Sequence, residues 1–320
     1  VNWLATLLAL LAWAPPALAE PTFPSKPVTI VVPYPPGGSN DIFARELGRR
    51  LADAWKVPVL VENRAGAGGS IGAGIVSRAA PDGYTLCLLS SSFTTNAAIQ
   101  TNLPFDPVAS FAPVGMVARG PMLLTVANRL PVKTTLELFD YARRNPGKLN
   151  YASSGQGSTN HFATELLMDA ANITMTHVPY KGMGPAVTDT IAGHVDVLIA
   201  SAPSIYQQVK AGKVRALGVT SKGPSAVVPD LAPIAAMGLP SYSFELWWGV
   251  LAPAKTPPGI VQQVNADMNR ILATPEMREI FLREGAEPAT MTPAKFALTI
   301  RDEIEGWKKV ARKADIKPES

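Results

Sequence analysis

Cysteine is almost missing from this chain: Cys87 stands alone in 320 residues. One thiol closes no intramolecular disulfide and builds no thiolate metal cluster. Set in the run Tyr84-Thr85-Leu86-Cys87-Leu88-Leu89-Ser90, it reads as a small buried apolar side chain. Histidine is scarce too. His161, His177 and His194 fall into no Cys/His cluster and no H-E-x-x-H pattern. His161 and Glu165, four apart on a helix, could chelate a metal, but the expectation is a helix-surface or helix-end pair without one. Charge is thin: Asp, Glu, Lys and Arg make up 17% of the residues, the net is +4, and Lys and Arg are scattered. Without a basic run to meet a phosphate backbone, nucleic acid is not an expected partner. No two carboxylates are visibly arranged for acid–base work. What remains is 47% apolar residues, enough for a sizeable core without cross-links.

The first nineteen residues are an apolar run of Leu, Ala and Trp, interrupted by Pro15-Pro16 and ending in Ala17-Leu18-Ala19. That is the small-x-small pattern of a signal peptidase site, so export is predicted, with cleavage after Ala19.

An internal repeat organises the rest. Ser39-Asn40-Asp41-Ile42-Phe43-Ala44-Arg45-Glu46-Leu47 and Ser158-Thr159-Asn160-His161-Phe162-Ala163-Thr164-Glu165-Leu166 both read S-x-x-x-F-A-x-E-L. Each follows a short strand (VTIVV, LNYAS) and a Gly/Ser loop (PPGGS, SGQGS). The echo continues: VPVLVENRAGAGG parallels MTHVPYKGMGP, and DGYTLCLLSSS parallels GHVDVLIASAP. Strand, loop and helix in that rhythm predict two parallel sheets flanked by helices, with ligands expected at the carboxyl ends of the strands. Two similar lobes with facing loops make a cleft.

The helix after Gly38 is well specified. Ser39 is the expected N-cap, Ile42, Phe43, Leu47 and Leu51 the buried face, and Asp41/Arg45 and Glu46/Arg50 the pairs on the wet side. Gly37 and Gly38 are expected to relax the backbone and leave bare N–H groups aimed at the cleft, where a carboxylate or phosphate would bind. Gly120-Pro121 and Gly238-Leu239-Pro240 punctuate two crossings between lobes, and LWWGVLAPA reads as a strand returning to the first lobe. Thr256-Pro257, Thr274-Pro275 and Thr292-Pro293 announce three closing helices, Thr as cap and Pro in the first turn. The last, about 293 to 313, carries Phe296, Ile300, Ile304 and Trp307 on one face. Trp247-Trp248 is expected to pack a core or line a crossing.

One motif argues for an enzyme. Gly68-Gly69-Ser70-Ile71-Gly72 matches G-x-S-x-G, the nucleophile elbow. Arg64-Ala65-Gly66-Ala67 separate it from the preceding strand, and in so Gly-rich a segment the match is cheap. A dinucleotide fingerprint fails at the first turn after a strand. A serine hydrolase using Ser70 stands as the alternative to a binding protein, and a sensory binder of the same fold as a third reading.

With these pieces in order, the chain resembles the Bug family, the extracytoplasmic solute-binding proteins of tripartite tricarboxylate transporters. The resemblance rests on PYPPGGSNDIFAR, VENRAGAGGSIGA, DGYTL, YASSGQGSTNHFATELL, HVPYKGMGPAVTD, GHVDVLIASAPS, KVRALGVTS and WWGVLAPAKTP, which span nearly the whole chain. It implies an α/β type II periplasmic-binding-protein fold: lobe I from 20–121 plus 243–320, lobe II from 122–242, and a hinge between them. It implies a periplasmic monomer without cofactor or metal that delivers a small organic acid, amino acid or amide to membrane permease subunits. Carried over by position, the ligand residues are Gly37, Gly38, Ser39 and Asp41; Ser91, Ser92, Thr94 and Asn96; Ser153, Ser154, Gly157, Ser158, Thr159 and Asn160; Lys181 and Gly182; and Ser201, Ala202 and Pro203. Asp41 either complements the helix dipole or accepts a ligand ammonium, and Lys181 either meets a second carboxylate or stays on the rim.

Overall fold

A computed structural model of the chain describes residues 23–318. The segment 1–19 and its cleavage site lie outside the described residues. The strands are β1 (Val28–Val32), β2 (Val59–Asn63), β3 (Thr85–Ser90), β4 (Phe111–Ala127), β5 (Asn150–Ser153), β6 (Thr176–Pro179), β7 (Val197–Ser201), β8 (Val214–Val219), β9 (Glu245–Pro253) and β10 (Glu287–Pro288). The helices, numbered in chain order, are α1 (Ser39–Trp55), α2 (Ser70–Ser77), α3 (Ser92–Ile99), α4 (Thr135–Arg144), α5 (Thr159–Ala171), α6 (Met183–Ala192), α7 (Ala202–Lys210), α8 (Pro258–Leu272), α9 (Pro275–Arg283) and α10 (Pro293–Lys313).

The repeat is visible in the topology. β1 lies parallel between β2 and β3, and β5 lies parallel between β6 and β7. The order β2-β1-β3 thus recurs as β6-β5-β7, and β9 and β4 run antiparallel between the two sets. β4 serves both halves without a break. Its residues Phe111 to Pro121 pair with β9, and Met122 onward pair with β7. Gly120-Pro121 therefore crosses within a continuous strand, not in a loop.

Each half has its own core. In the first, Phe43, Leu47 and Leu51 of α1 are fully buried with Ile30 and Leu88, and the Phe43 ring meets Trp248 edge-on at 5.0 Å. Each such side chain contributes about 1.5–3 kcal/mol. Ile42, expected on that face, is only partly buried. In the second, Tyr151, Phe162, Leu167 and Ile199 form the centre. Trp247 and Trp248 are both buried on β9, and Cys87 is buried on β3.

Helix α10 belongs to both cores. Phe296, Ile300 and Ile304 pack into the first half, whereas Ala311, and Ile316 just beyond the helix, pack into the second. Trp307 stands 5.7 Å from Phe162 and 5.2 Å from Phe244, on the second side. Gly306 lies between the two sets of contacts. The Thr-Pro pattern caps two helices of three: Thr274 accepts from Met277 N–H and Thr292 from Lys295 N–H. Thr256 does not cap. Its hydroxyl donates to Pro253 O at 2.7 Å, and α8 starts two residues later.

Candidate functional site

A cavity of about 630 Å³ opens where the carboxyl ends of both parallel strand sets meet. Its first-half wall is the turn Ala67-Gly68, Ser70 at the start of α2, Ser92, Thr95, Asn96 and Ile99 of α3, and the following Gln100, Asn102 and Leu103. Its second-half wall is the loop Ser154 to Ser158 after β5. None of these lining residues carries an ionisable side chain. The wall is hydroxyls, amides, backbone and a little apolar surface, with helices α2, α3 and α5 beginning on or beside it.

Local chemistry fixes each part. The Tyr34 hydroxyl lies 2.7 Å from Ser92 Oγ, which is 3.0 Å from Ser90 Oγ. Burial pushes the Tyr34 phenol up, with the Ser92 and Ser90 contacts acting the other way. Asn96 donates its amide to Gly68 O at 3.2 Å and ties α3 to the turn before α2. Across the cavity, Ser158 caps α5 by accepting His161 N–H, and its own hydroxyl donates to Gly155 O at 2.7 Å. Gly157 holds a φ of +72°, and a Cβ there would collide with the Ile99 side chain of the opposite wall. The positive φ is what calls for glycine at that point, since the Ile99 Cδ1 that a Cβ would meet is the end of a flexible side chain.

Of the residues singled out from sequence, Ser92, Asn96, Ser154, Gly157 and Ser158 line the cavity. The PPGGS turn does not. Ser39 is the first helical residue of α1, the cap position falls to Gly38, and no side chain caps it. Only Gly37 needs a positive φ, at +86°, since Gly38 is extended. Asp41 is buried, not on the wet side. Its carboxylate accepts Gly37 N–H at 3.0 Å and the Asn63 amide at 3.0 Å, and it pairs with Arg45 at 2.9 Å. Burial would raise its pKa, but Arg45, Gly37 N–H and Asn63 together hold it below the usual carboxylate value. The expected Glu46/Arg50 pair is replaced by Glu46–Arg49 at 3.2 Å.

The remaining candidates do not line the cavity. Thr94 is buried, its single hydroxyl proton shared between Ser91 O and Glu303 Oε2, each 2.8 Å away. Ser91 and Ser153 are buried as well. Asn160 accepts the Ser154 hydroxyl at 2.8 Å and donates to Ile199 O, so it braces the loop from behind, and Thr159 opens α5. Gly182 N–H bonds Ser154 O at 3.2 Å, and Lys181 beside it is exposed. Ser201 lies 2.8 Å from the Ser204 hydroxyl, Ala202 is buried, and Pro203 abuts Gly285 of the first half.

Sequence reasoning passed over Gly68, Thr95, Gln100, Asn102 and Gln156, and weighed Ser70 only as a nucleophile. The Gly-rich repeat of VENRAGAGG was the available signal for Gly68 and Ser70. Ser70 donates to Ala67 O at 2.9 Å. No histidine serves it: His161 and His177 are engaged with Gly157 and Ser153, and His194 faces Asp189 at 3.5 Å. The pairing of His161 with Glu165, 3.7 Å apart, is not on a helix surface. His161 is 3% exposed and sits in the first turn of α5.

The arrangement has close relatives. Protein BugT of Bordetella pertussis is 35% identical over 306 residues, covering 95% of this chain and 94% of that protein. Among solved structures, an R. palustris protein with adipate is 34% identical with a TM-score of 0.79, over 93% of this chain and 100% of that one. MatC from Rhodopseudomonas palustris with bound malate is 32% identical with a TM-score of 0.74, over 90% of this chain and 99% of that one. Residues 43–316 match the family described as "Tripartite tricarboxylate transporter family receptor". A receptor family, and not a hydrolase, accounts for a cavity walled by three helix starts and no ionisable group: the chain belongs to the tripartite tricarboxylate transporter receptors, the TctC or Bug solute-binding proteins.

Proposed function

We propose that the cavity between α2, α3 and the 154–158 loop takes a small carboxylate, which the protein hands to the membrane permease subunits of a tripartite transporter. The observation that carries this reading is the uncharged wall with the starts of α2, α3 and α5 gathered around it. Helix starts favour anions through their unpaired N–H groups and the helix dipole, and hydroxyls and amides donate further bonds. The relatives with adipate and malate support the same ligand class. Ser92, Asn96, Ser154, Gly157 and Ser158 are the proposed contacts. Ser91, Thr94, Ser153, Thr159 and Asn160 hold them in place, and the Gly37-to-Asp41 turn, Lys181-Gly182 and Ser201-to-Pro203 flank the opening.

The proposed lobes are 20–121 plus 243–320 and 122–242. The change of partner within β4, from β9 up to Pro121 to β7 from Met122, supports that boundary. A ligand touching both walls favours the closed arrangement over any open one. The export segment ending at Ala19 and the family together support a periplasmic, monomeric receptor.

Calorimetry and thermal shift with mono-, di- and tricarboxylates test this. A ligand that binds only the folded state raises its midpoint. Ser92→Ala and Asn96→Ala are each expected to weaken that ligand by about fivefold, the value of one neutral hydrogen bond. Unchanged affinity in both variants would place the ligand elsewhere.

A further inference from the structure

Both repeats close the turn before their first helix in the same way. In α1, Asp41 at the third helical position accepts the N–H of Gly37 at 3.0 Å. In α5, His161 at the third helical position accepts the N–H of Gly157 through Nδ1 at 3.1 Å. The device is shared, but the acceptor differs: a carboxylate beside an exposed turn, an imidazole beside the cavity. We infer that His161 is a positioning residue for ligand binding, whose neutral Nδ1 fixes the 154–158 wall while placing no negative charge next to the anion. The inference rests on the reading of this cavity as the carboxylate site.

The surroundings hold His161 in that form. Accepting at Nδ1 puts its single proton on Nε2, which faces Glu165 Oε1 at 3.7 Å. Glu165 in turn accepts the Tyr151 hydroxyl at 2.5 Å. The His177 ring stacks on His161 at 3.9 Å, and its Nε2 lies 2.6 Å from Ser153 Oγ, at the base of the same loop. Burial, and then the neighbouring His177, push His161 down to about 3, so it is neutral at any ordinary pH. Burial pushes His177 down to about 4. Tyr151 from β5, His177 from β6 and Glu165 from α5 are thus the titratable groups that face it. A carboxylate in place of His161 would supply the same acceptor, but ionised it would repel the ligand that the helix starts attract.

The test compares His161→Phe, His161→Asn and Ser92→Ala with wild type, using a carboxylate that wild type binds. Phe keeps the ring and its stacking but has no acceptor. Asn offers Oδ1 where Nδ1 stood and carries no charge. H161F should bind about tenfold more weakly when titrated where its urea curve shows it fully folded, even if its midpoint falls. H161N should recover most of that loss. If H161F binds like wild type while Ser92→Ala is weakened, the cavity reading stands and the role of His161 falls. If all three bind like wild type, the cavity reading itself falls. Equal losses in H161F and H161N show that the acceptor is not what matters and overturn the inference. Should H161F fail to fold, ¹⁵N spectra of histidine-labelled wild type decide: a proton on Nε2 of His161 is expected, and a proton on Nδ1 overturns the assignment.

Discussion

The Glu303 carboxylate accepts the indole N–H of Trp247 through both oxygens, at 3.0 and 2.9 Å. Its Oε2 also takes the Thr94 hydroxyl at 2.8 Å. Three elements meet on this one side chain: α10, strand β9, and α3 from the cavity wall. Burial raises the Glu303 pKa, with the bonds from Trp247 and Thr94 acting against it.

Removing the acceptor strands the Trp247 N–H, while the Thr94 hydroxyl keeps Ser91 O. Glu303→Ala is expected to cost about 1–3 kcal/mol in urea unfolding, since the Trp247 N–H then lies buried without a partner. Glu303→Gln keeps a carbonyl acceptor and should cost less. A raised carboxylate pKa stabilises the fold fully below the unfolded value and loses that contribution as pH rises through the folded one. Glu303→Gln should therefore gain on wild type as pH climbs from below 4.5 toward neutrality. An E303A variant as stable as wild type would remove this residue from the framework.

Gly157→Ala should damage binding more than stability. The positive φ and the collision with Ile99 both bear on the cavity wall. A loss of about tenfold or more in affinity is expected. Adding Ile99→Ala should restore part of it, because the collision is relieved and the backbone strain is not. No recovery in the double variant would mean that strain alone accounts for the loss.

Asp41→Asn addresses the first-repeat turn. A depressed carboxylate pKa contributes stability above the unfolded value, 3.8, and loses it as pH falls through the folded one. Arg45 is about half exposed, so solvent discounts the pair, and a loss of about 1 kcal/mol at neutral pH is expected, fading in acid. Ligand affinity should stay within about twofold, because Asp41 does not line the cavity. A large affinity loss would return the PPGGS turn to the binding site.

Gly306→Ala should stabilise. Gly306 lies inside α10, and an added Cβ meets nothing within 4 Å. Replacing a helical glycine by alanine is worth about 1 kcal/mol. A higher urea midpoint is expected, and a lower one would show that the helix is bent or strained there.

Much of the fold was legible because its signals are local. Strand, Gly loop and helix start recur in both halves of the sequence, and the structure answers with β2-β1-β3 and β6-β5-β7. Capping was half legible. Ser39 and Ser158 occupy the same place in one motif, yet Ser158 caps and Ser39 is already helical, since α1 begins one residue earlier relative to the motif. The cavity was legible where a loop follows a strand, hence Ser92, Asn96 and Ser158. It was hidden where lining depends on a helix's far end: Ile99 and Gln100 reach the cavity only because α3 leans across to the second half. The Tyr34–Ser92 and Trp247–Glu303 contacts join segments far apart in the chain, and no local pattern announces them.

Helix α10 crosses between the two cores as a third connection beside β4 and β9. Two adjacent strands alone would let the halves both fold together and swivel, as a strap does. A stiff rod fastened to each half at a separate place resists the swivel. The walls carrying Asn96 and Gly157 are thereby held in one register across the cavity.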